Sequence, residues 1–280
     1  PHFGWRVMFA LGGLPLILAI IIRRSCPESP RWLASKGLLA EADAVVQAFE
    51  REAPLDKALQ QPSLDESGSG LHPRDPKPKG SPMDIFSYRY LVRTLSTCML
   101  WICAYICSYA IALWLPTLFT QVYGLSLQSA LNFSIVTSAA GALGCGMLSI
   151  YVDRIKRPTL LWVGFATTAS ALLALTLYPV ASVGLVIVCC TIAMFFLFLL
   201  AGALYLYTPE LYPTSSRAAG TGFASIWARI AAMGTPFVMG FLIQQGAART
   251  IFMTLAIVAL VGATVSKMWA VDRTGQSLEA

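Results

Sequence analysis

Long apolar runs separated by short polar stretches dominate this chain, and the runs are its main structural signal. Seven of them, at residues 5–22, 94–119, 132–151, 160–178, 183–207, 218–244 and 251–269, match the roughly 20 mostly apolar residues that a helix needs to cross a bilayer. The pattern therefore predicts an all-α membrane protein with seven transmembrane helices: one alone, then a polar stretch, then six joined by short loops. The polar stretch divides in two. Residues 38–50 predict a short amphipathic helix with Leu38, Leu39, Ala42, Val45, Val46 and Phe49 on one face. Residues 60–82 are rich in Pro, Gly, Ser and charge, too poor in apolar surface to offset the entropy of ordering, and predict a disordered linker.

Composition sharpens this picture. Hydrophobic residues make up 56% of the chain and charged ones 12%, about half the charge of an ordinary soluble domain. A globular core is not expected on that ground, because seven such apolar tracts would leave no polar surface for water. Tyr and Trp recur near the run ends (Trp5, Tyr123, Tyr151, Tyr178, Tyr207, Trp269), as in an interfacial belt.

The net charge of +6 comes from residues flanking the spans, not from a basic helix interleaved with exposed aromatics, so nucleic-acid binding is not expected. Counting Lys and Arg sets the orientation. Seventeen fall in 23–93, 152–159, 208–217 and the C-terminal end, against Arg6 and Arg249 on the other side, with Arg229 inside a span. Those loops and the C-terminus are accordingly expected to be cytoplasmic. The seven cysteines show no paired spacing of a metal site, and both histidines (His2, His72) lie outside the spans. No nucleophile–base set or phosphate loop is present. Neither an enzyme nor a cofactor or metal is expected.

Four segments carry a family resemblance. Pro27-Glu28-Ser29-Pro30-Arg31-Trp32-Leu33 follows the first span and resembles the PESPRWL signature of sugar porters and organic-ion transporters. Asp153-Arg154-Ile155-Lys156-Arg157 resembles a second copy of the D-R-x-G-R loop motif, with Lys156 in place of Gly. Tyr207-Thr208-Pro209-Glu210-Leu211-Tyr212-Pro213-Thr214, followed by Arg217, resembles the loop between the tenth and eleventh helices of organic-ion transporters. Asp272-Arg273-Thr274-Gly275 with Leu278 and Glu279 resembles the closing E-T-K-G-x-x-L-E. Together they resemble the major facilitator superfamily from its sixth helix onward, near the organic-anion and organic-cation transporters and the bacterial niacin and aromatic-acid symporters.

The resemblance implies a partial chain of a two-half helical bundle. Residues 1–24 would be the last helix of the N-terminal half, 25–88 a cytoplasmic central loop, and 89–280 the complete C-terminal six-helix half. It implies a multi-pass protein of the plasma membrane, the inner membrane in a bacterium, which needs the missing half to work. Glu28, Arg31, Asp153, Arg154, Arg157, Glu210 and Arg217 place carboxylates and guanidinia at helix ends. They form a candidate cytoplasmic gate that pairs in one state and separates when the halves rock apart. Setting topology alone is the plainer reading of the same charges.

Arg229 is the residue that points to a substrate. It falls near the middle of its span, where an Arg costs roughly 2.5–3.5 kcal/mol, and the seven spans hold no Asp or Glu to pair with it. An anionic substrate, or a carboxylate on another helix, would compensate it. The segment Ala228-Arg229-Ile230 with Gly234-Thr235-Pro236 resembles the eleventh helix of organic-anion transporters. Trp101, Tyr105 and Tyr109 stand four apart and share a helix face. Such a stripe serves packing or a substrate path, and Tyr109 matches an aromatic on that path in the resembled family. Phe198 and Tyr205 are weaker candidates of the same kind. The expected function is secondary transport of a small organic anion, an aromatic carboxylate, with H+ as the coupling ion. Sugar transport is the alternative, although sugar sites favour amides and these spans offer few.

Overall fold

A computed structural model describes residues 4–25, 27–28, 30, 33, 37–52, 82–152, 154–178, 182–213, 216–244 and 248–272. The chain divides into two compact units, 1–75 and 76–280.

The first unit holds helices α1 (Gly4–Gly12), α2 (Leu14–Ser25) and α3 (Leu39–Glu52). The first expected span is present as two short helices, not one. Gly12 and Gly13 are poor helix formers, and Pro15 brings no N–H to the helix ladder and crowds the carbonyl four residues back. The Gly13 N–H bonds instead to the Ala10 carbonyl at 3.0 Å, a tightened turn that ends α1. Six helices among the described residues are long and apolar enough to cross a membrane, and this interrupted pair is not among them. The amphipathic α3 forms almost where expected. Ala42 is buried, whereas Leu39, Val46 and Phe49 remain exposed. The linker expected at 60–82 lies outside the described residues up to Ser81.

The second unit opens with a 3-10 turn, Pro82–Phe86, followed by α4 (Tyr88–Gln121), α5 (Leu127–Tyr151), α6 (Arg157–Leu177), α7 (Val183–Glu210), α8 (Arg217–Gln244) and α9 (Ala248–Trp269). All six are the spanning helices. α4 is the hub and packs against α5, α7, α8 and α9, while α6 lies between α7 and α9. Fully buried Phe119, Phe165, Leu172, Met194 and Leu197 fill the space between them. In lipid the hydrophobic effect adds little between helices, so close packing has to supply the attraction. Gly144 shows how close it becomes: a Cβ there would stand 2.1 Å from the Phe195 carbonyl oxygen, so α5 and α7 meet backbone to backbone. α4 and α8 run through Pro116 and Pro236 without ending there, because a helix of their length keeps enough remaining bonds and neighbours.

Helix starts differ between the two ends of this bundle. Ser126 accepts from the Ser129 N–H at the start of α5, and Ser182 from the Leu185 N–H at the start of α7, the usual N-cap device. α6 starts at the other end behind Lys156, with a proline in its first turn and no side-chain cap.

Candidate functional site

Two clusters of polar and aromatic side chains stand out in the second unit, one at the middle of the helices and one at the basic end.

The middle cluster is built on α4. Residues 101, 105 and 109 share a face at helical spacing, and their rings stack in sequence: Trp101 on Tyr105 at 5.5 Å between centroids, and Tyr105 on Tyr109 at 6.0 Å. Tyr205 of α7 closes the side, edge-on to Trp101 at 4.7 Å. Its hydroxyl accepts from the Tyr105 hydroxyl at 3.4 Å. Trp101 has no exposed surface, and its indole N–H donates to Thr208 Oγ1 at 2.9 Å. It was expected among the substrate contacts; here it has no exposed surface and packs between Tyr105, Tyr205 and Thr208. Tyr105 and Tyr109 are half-buried, and Tyr205 is exposed.

Arg229 enters this cluster from α8. It is exposed, it lies close enough to Tyr105 for its charge to act on the phenol, and among the described residues it has no carboxylate partner. The residues named from sequence as substrate contacts thus come together across α4 and α8. Tyr205, a weaker candidate by sequence, is drawn in by α7. Thr208 was missed as an anchor; the only signal for it was its place beside Pro209 and Glu210. Phe198 packs elsewhere, against Gly141 of α5.

The basic end holds the second cluster. Arg157, buried at the first residue of α6, donates from Nε and Nη2 to the Glu210 carboxylate at the end of α7, at 3.2–3.4 Å. It also donates from Nη1 to the Val152 carbonyl. Lys156 pairs with Asp272 at 3.6 Å in a mostly exposed position. The Val271 N–H donates to the Tyr207 hydroxyl at 3.0 Å, fastening the segment after α9 to α7. Tyr212 is buried, which pushes its phenol up from the ordinary value and keeps it a donor to Thr94 Oγ1 at 2.9 Å. Thr94 in turn donates to the Ile85 carbonyl of the 3-10 turn.

Of the expected gate residues, Arg157 and Glu210 therefore pair across two motifs. Arg154 and Glu28 are exposed. Arg217 keeps Nε and Nη2 buried with no hydrogen-bond partner, as Arg93 does with Nη1. Arg31 and Asp153 lie outside the described residues. Among the described residues no three His, Cys, Asp or Glu side chains stand close enough to hold a metal ion.

Comparison with known proteins supplies the frame for these clusters. A family described as "Sugar (and other) transporter" matches residues 2–280. The chain is 29% identical over 282 residues to the inner membrane metabolite transport protein YdjE of Escherichia coli, covering 99% of this chain and 61% of that protein. It is 30% identical over 281 residues to the niacin transporter NiaP of Acinetobacter baylyi, covering 100% of this chain and 62% of that protein. The synaptic vesicle 2-related protein of Bos taurus is 26% identical over 304 residues, with 52% of its length covered. The chain thus spans about three fifths of the length of the first two relatives.

Proposed function

This chain belongs to the sugar (and other) transporter family of the major facilitator superfamily, and from that premise we propose that it is the later part of a secondary transporter for a small organic anion, an aromatic carboxylate in particular. Residues 89–280 are its C-terminal half, 1–24 the last helix of the other half, and the substrate passes between the two by alternating access.

One observation carries the reading. Among the described residues Arg229 has no carboxylate partner, and its guanidinium lies at mid-helix near the half-buried ring of Tyr105, which stacks on Tyr109. A planar carboxylate satisfies a guanidinium with two charge-assisted hydrogen bonds, and an aromatic body stacks on phenol rings at little cost in entropy. One relative is a niacin transporter, and niacin is an aromatic carboxylate, which supports this chemistry. Proton coupling belongs to the same proposal. Its acceptor would be a carboxylate on a helix outside this chain, since these spans supply none.

The basic end is the gate in this reading. The Arg157–Glu210 pair locks α6 to α7 within the half. The unpartnered atoms of Arg217 and Arg93 wait for acceptors on the other half, and Glu28, Arg31, Asp153 and Arg154 complete the set. These loops and the C-terminus face the cytoplasm, where the excess of Lys and Arg belongs. The three phenol hydroxyls at the middle cluster favour sugar as the second reading.

Uptake by the full-length protein in proteoliposomes tests both. Nicotinate and benzoate should be accumulated and hexoses should not. Arg229→Ala should abolish anion uptake while the protein still inserts, since the substrate carboxylate then finds no guanidinium for its charge-assisted hydrogen bonds. Arg229→Lys should keep part of it, because the charge survives without the bidentate fork. Undiminished anion uptake by Arg229→Ala would sink the proposal.

A further inference from the structure

At the basic end, α5, α6 and α7 diverge and leave a groove of about 390 Å³ open to the outside of the bundle. Its wall is almost wholly hydrocarbon: Met147 and Leu148 of α5, Leu160 and Val163 of α6, Phe196 and Leu199 of α7. It contacts neither α4 nor α8, which carry the middle cluster, so it is not part of the substrate site described above.

The mouth of the groove is polar in a specific way. Tyr151 and Thr159 line it there, both exposed. Helical threonines in this unit commonly turn their hydroxyl back to the carbonyl four residues earlier, as Thr137, Thr167, Thr168 and Thr235 do. Thr159 sits in the first turn of α6 and makes no such bond. Arg154 follows Tyr151 by three residues, is exposed, and makes no ion pair with a described residue. Lys156 is 74% exposed, and Asp272 balances it only partly at 3.6 Å. Finally, α6 opens here with a proline in its first turn and no side-chain cap, so no cap offsets the positive end of its dipole. An uncapped helix start flanked by a guanidinium and two hydroxyls is an anion site.

We propose that this groove binds an anionic phospholipid. Its phosphate sits at the start of α6 between Arg154, Tyr151 and Thr159, and one acyl chain lies along Leu160, Val163 and Phe196. The two halves of the site match the two halves of that molecule. A soluble anion would leave the hydrocarbon groove empty, and a zwitterionic lipid brings its own cation with the phosphate, so it leaves the net positive charge of Arg154 and Lys156 in place. Basic residues near a membrane surface favour anionic lipid by about fivefold each.

Native mass spectrometry of the full-length protein, released from detergent after titration with phosphatidylglycerol or phosphatidylcholine, tests this. The protein should retain phosphatidylglycerol in clear preference. Arg154→Gln should lower that retention about fivefold and that of phosphatidylcholine less, so that the preference narrows, while Arg249→Gln, at the other end of the bundle, should change neither. Val163→Phe, which narrows the groove, should lower retention of both lipids. Thr159→Val keeps the shape and should weaken both lipids through their shared phosphate, so the proposal stays testable if the bulkier variant fails to fold. Equal retention of the two lipids, or no effect of Arg154→Gln, would overturn it. Displacement of the lipid by excess glycerol phosphate would also overturn it, marking a plain anion site.

Discussion

The two ends of the six-helix unit are held by different chemistry. At the end where α5 and α7 begin, the helix starts are closed locally: Ser126 and Ser182 each cap a backbone N–H three residues ahead. At the other end the ties reach between elements, and ion pairs are among them, Arg157 to Glu210 and Lys156 to Asp272, while α6 has no cap of its own. A cap belongs to one helix and moves with it. An ion pair between elements must break or stretch when they part. The difference teaches that the capped end behaves as a set of finished helices, whereas the basic end is where relative movement has an energetic cost.

Breaking that contrast is most direct at Arg157. Removing one partner of a buried pair leaves the other charge stranded at about 3–5 kcal/mol. Arg157→Ala should therefore produce the largest loss of thermal stability in detergent. Replacing both partners with apolar residues, Arg157→Met with Glu210→Leu, should recover most of it, because the desolvation cost goes as well. A double variant as unstable as the single one would mean that the Val152 carbonyl contact matters more than the pair.

At the capped end, Ser182→Ala should cost about 1 kcal/mol, independent of salt, since a neutral hydrogen bond is lost. If it matched Arg157→Ala, the contrast between the ends would fail. The smallest effect should come from Lys156→Gln. An exposed pair is worth under about 1 kcal/mol, and the loss should fade as salt rises over the physiological range.

Much of this architecture was legible in the sequence because a bilayer imposes a simple test on each segment. Apolar length alone locates α4 to α9, with the starts of α4 and α5 read five or six residues late because their first turns are polar. It also marked residues 5–22 as a span, because hydropathy counts Gly12, Gly13 and Pro15 as acceptable while the backbone does not. The pairing at the basic end was legible only in part. The charged motifs were plain, but which carboxylate meets which guanidinium depends on how α6 packs against α7, and that packing brings Arg157 to Glu210. Trp101 shows the same limit at the middle cluster. Spacing puts it on one face with Tyr105 and Tyr109, but not that α7 passes close enough at Thr208 to bury it. Arg229 was visible for a simpler reason: a charge within an apolar tract stands out whatever surrounds it.

The contact between Gly144 and the Phe195 carbonyl has a consequence for how this protein tolerates change. Met147, one turn along α5, and Phe195 itself both line the lipid groove, so this crossing is where the groove begins and sets how far its walls stand apart. In a saturation library, position 144 should accept glycine alone. Alanine, the mildest substitution, would already have to push α5 off α7. The resulting variants would report as loosened lipid selectivity before they reported as lost folding.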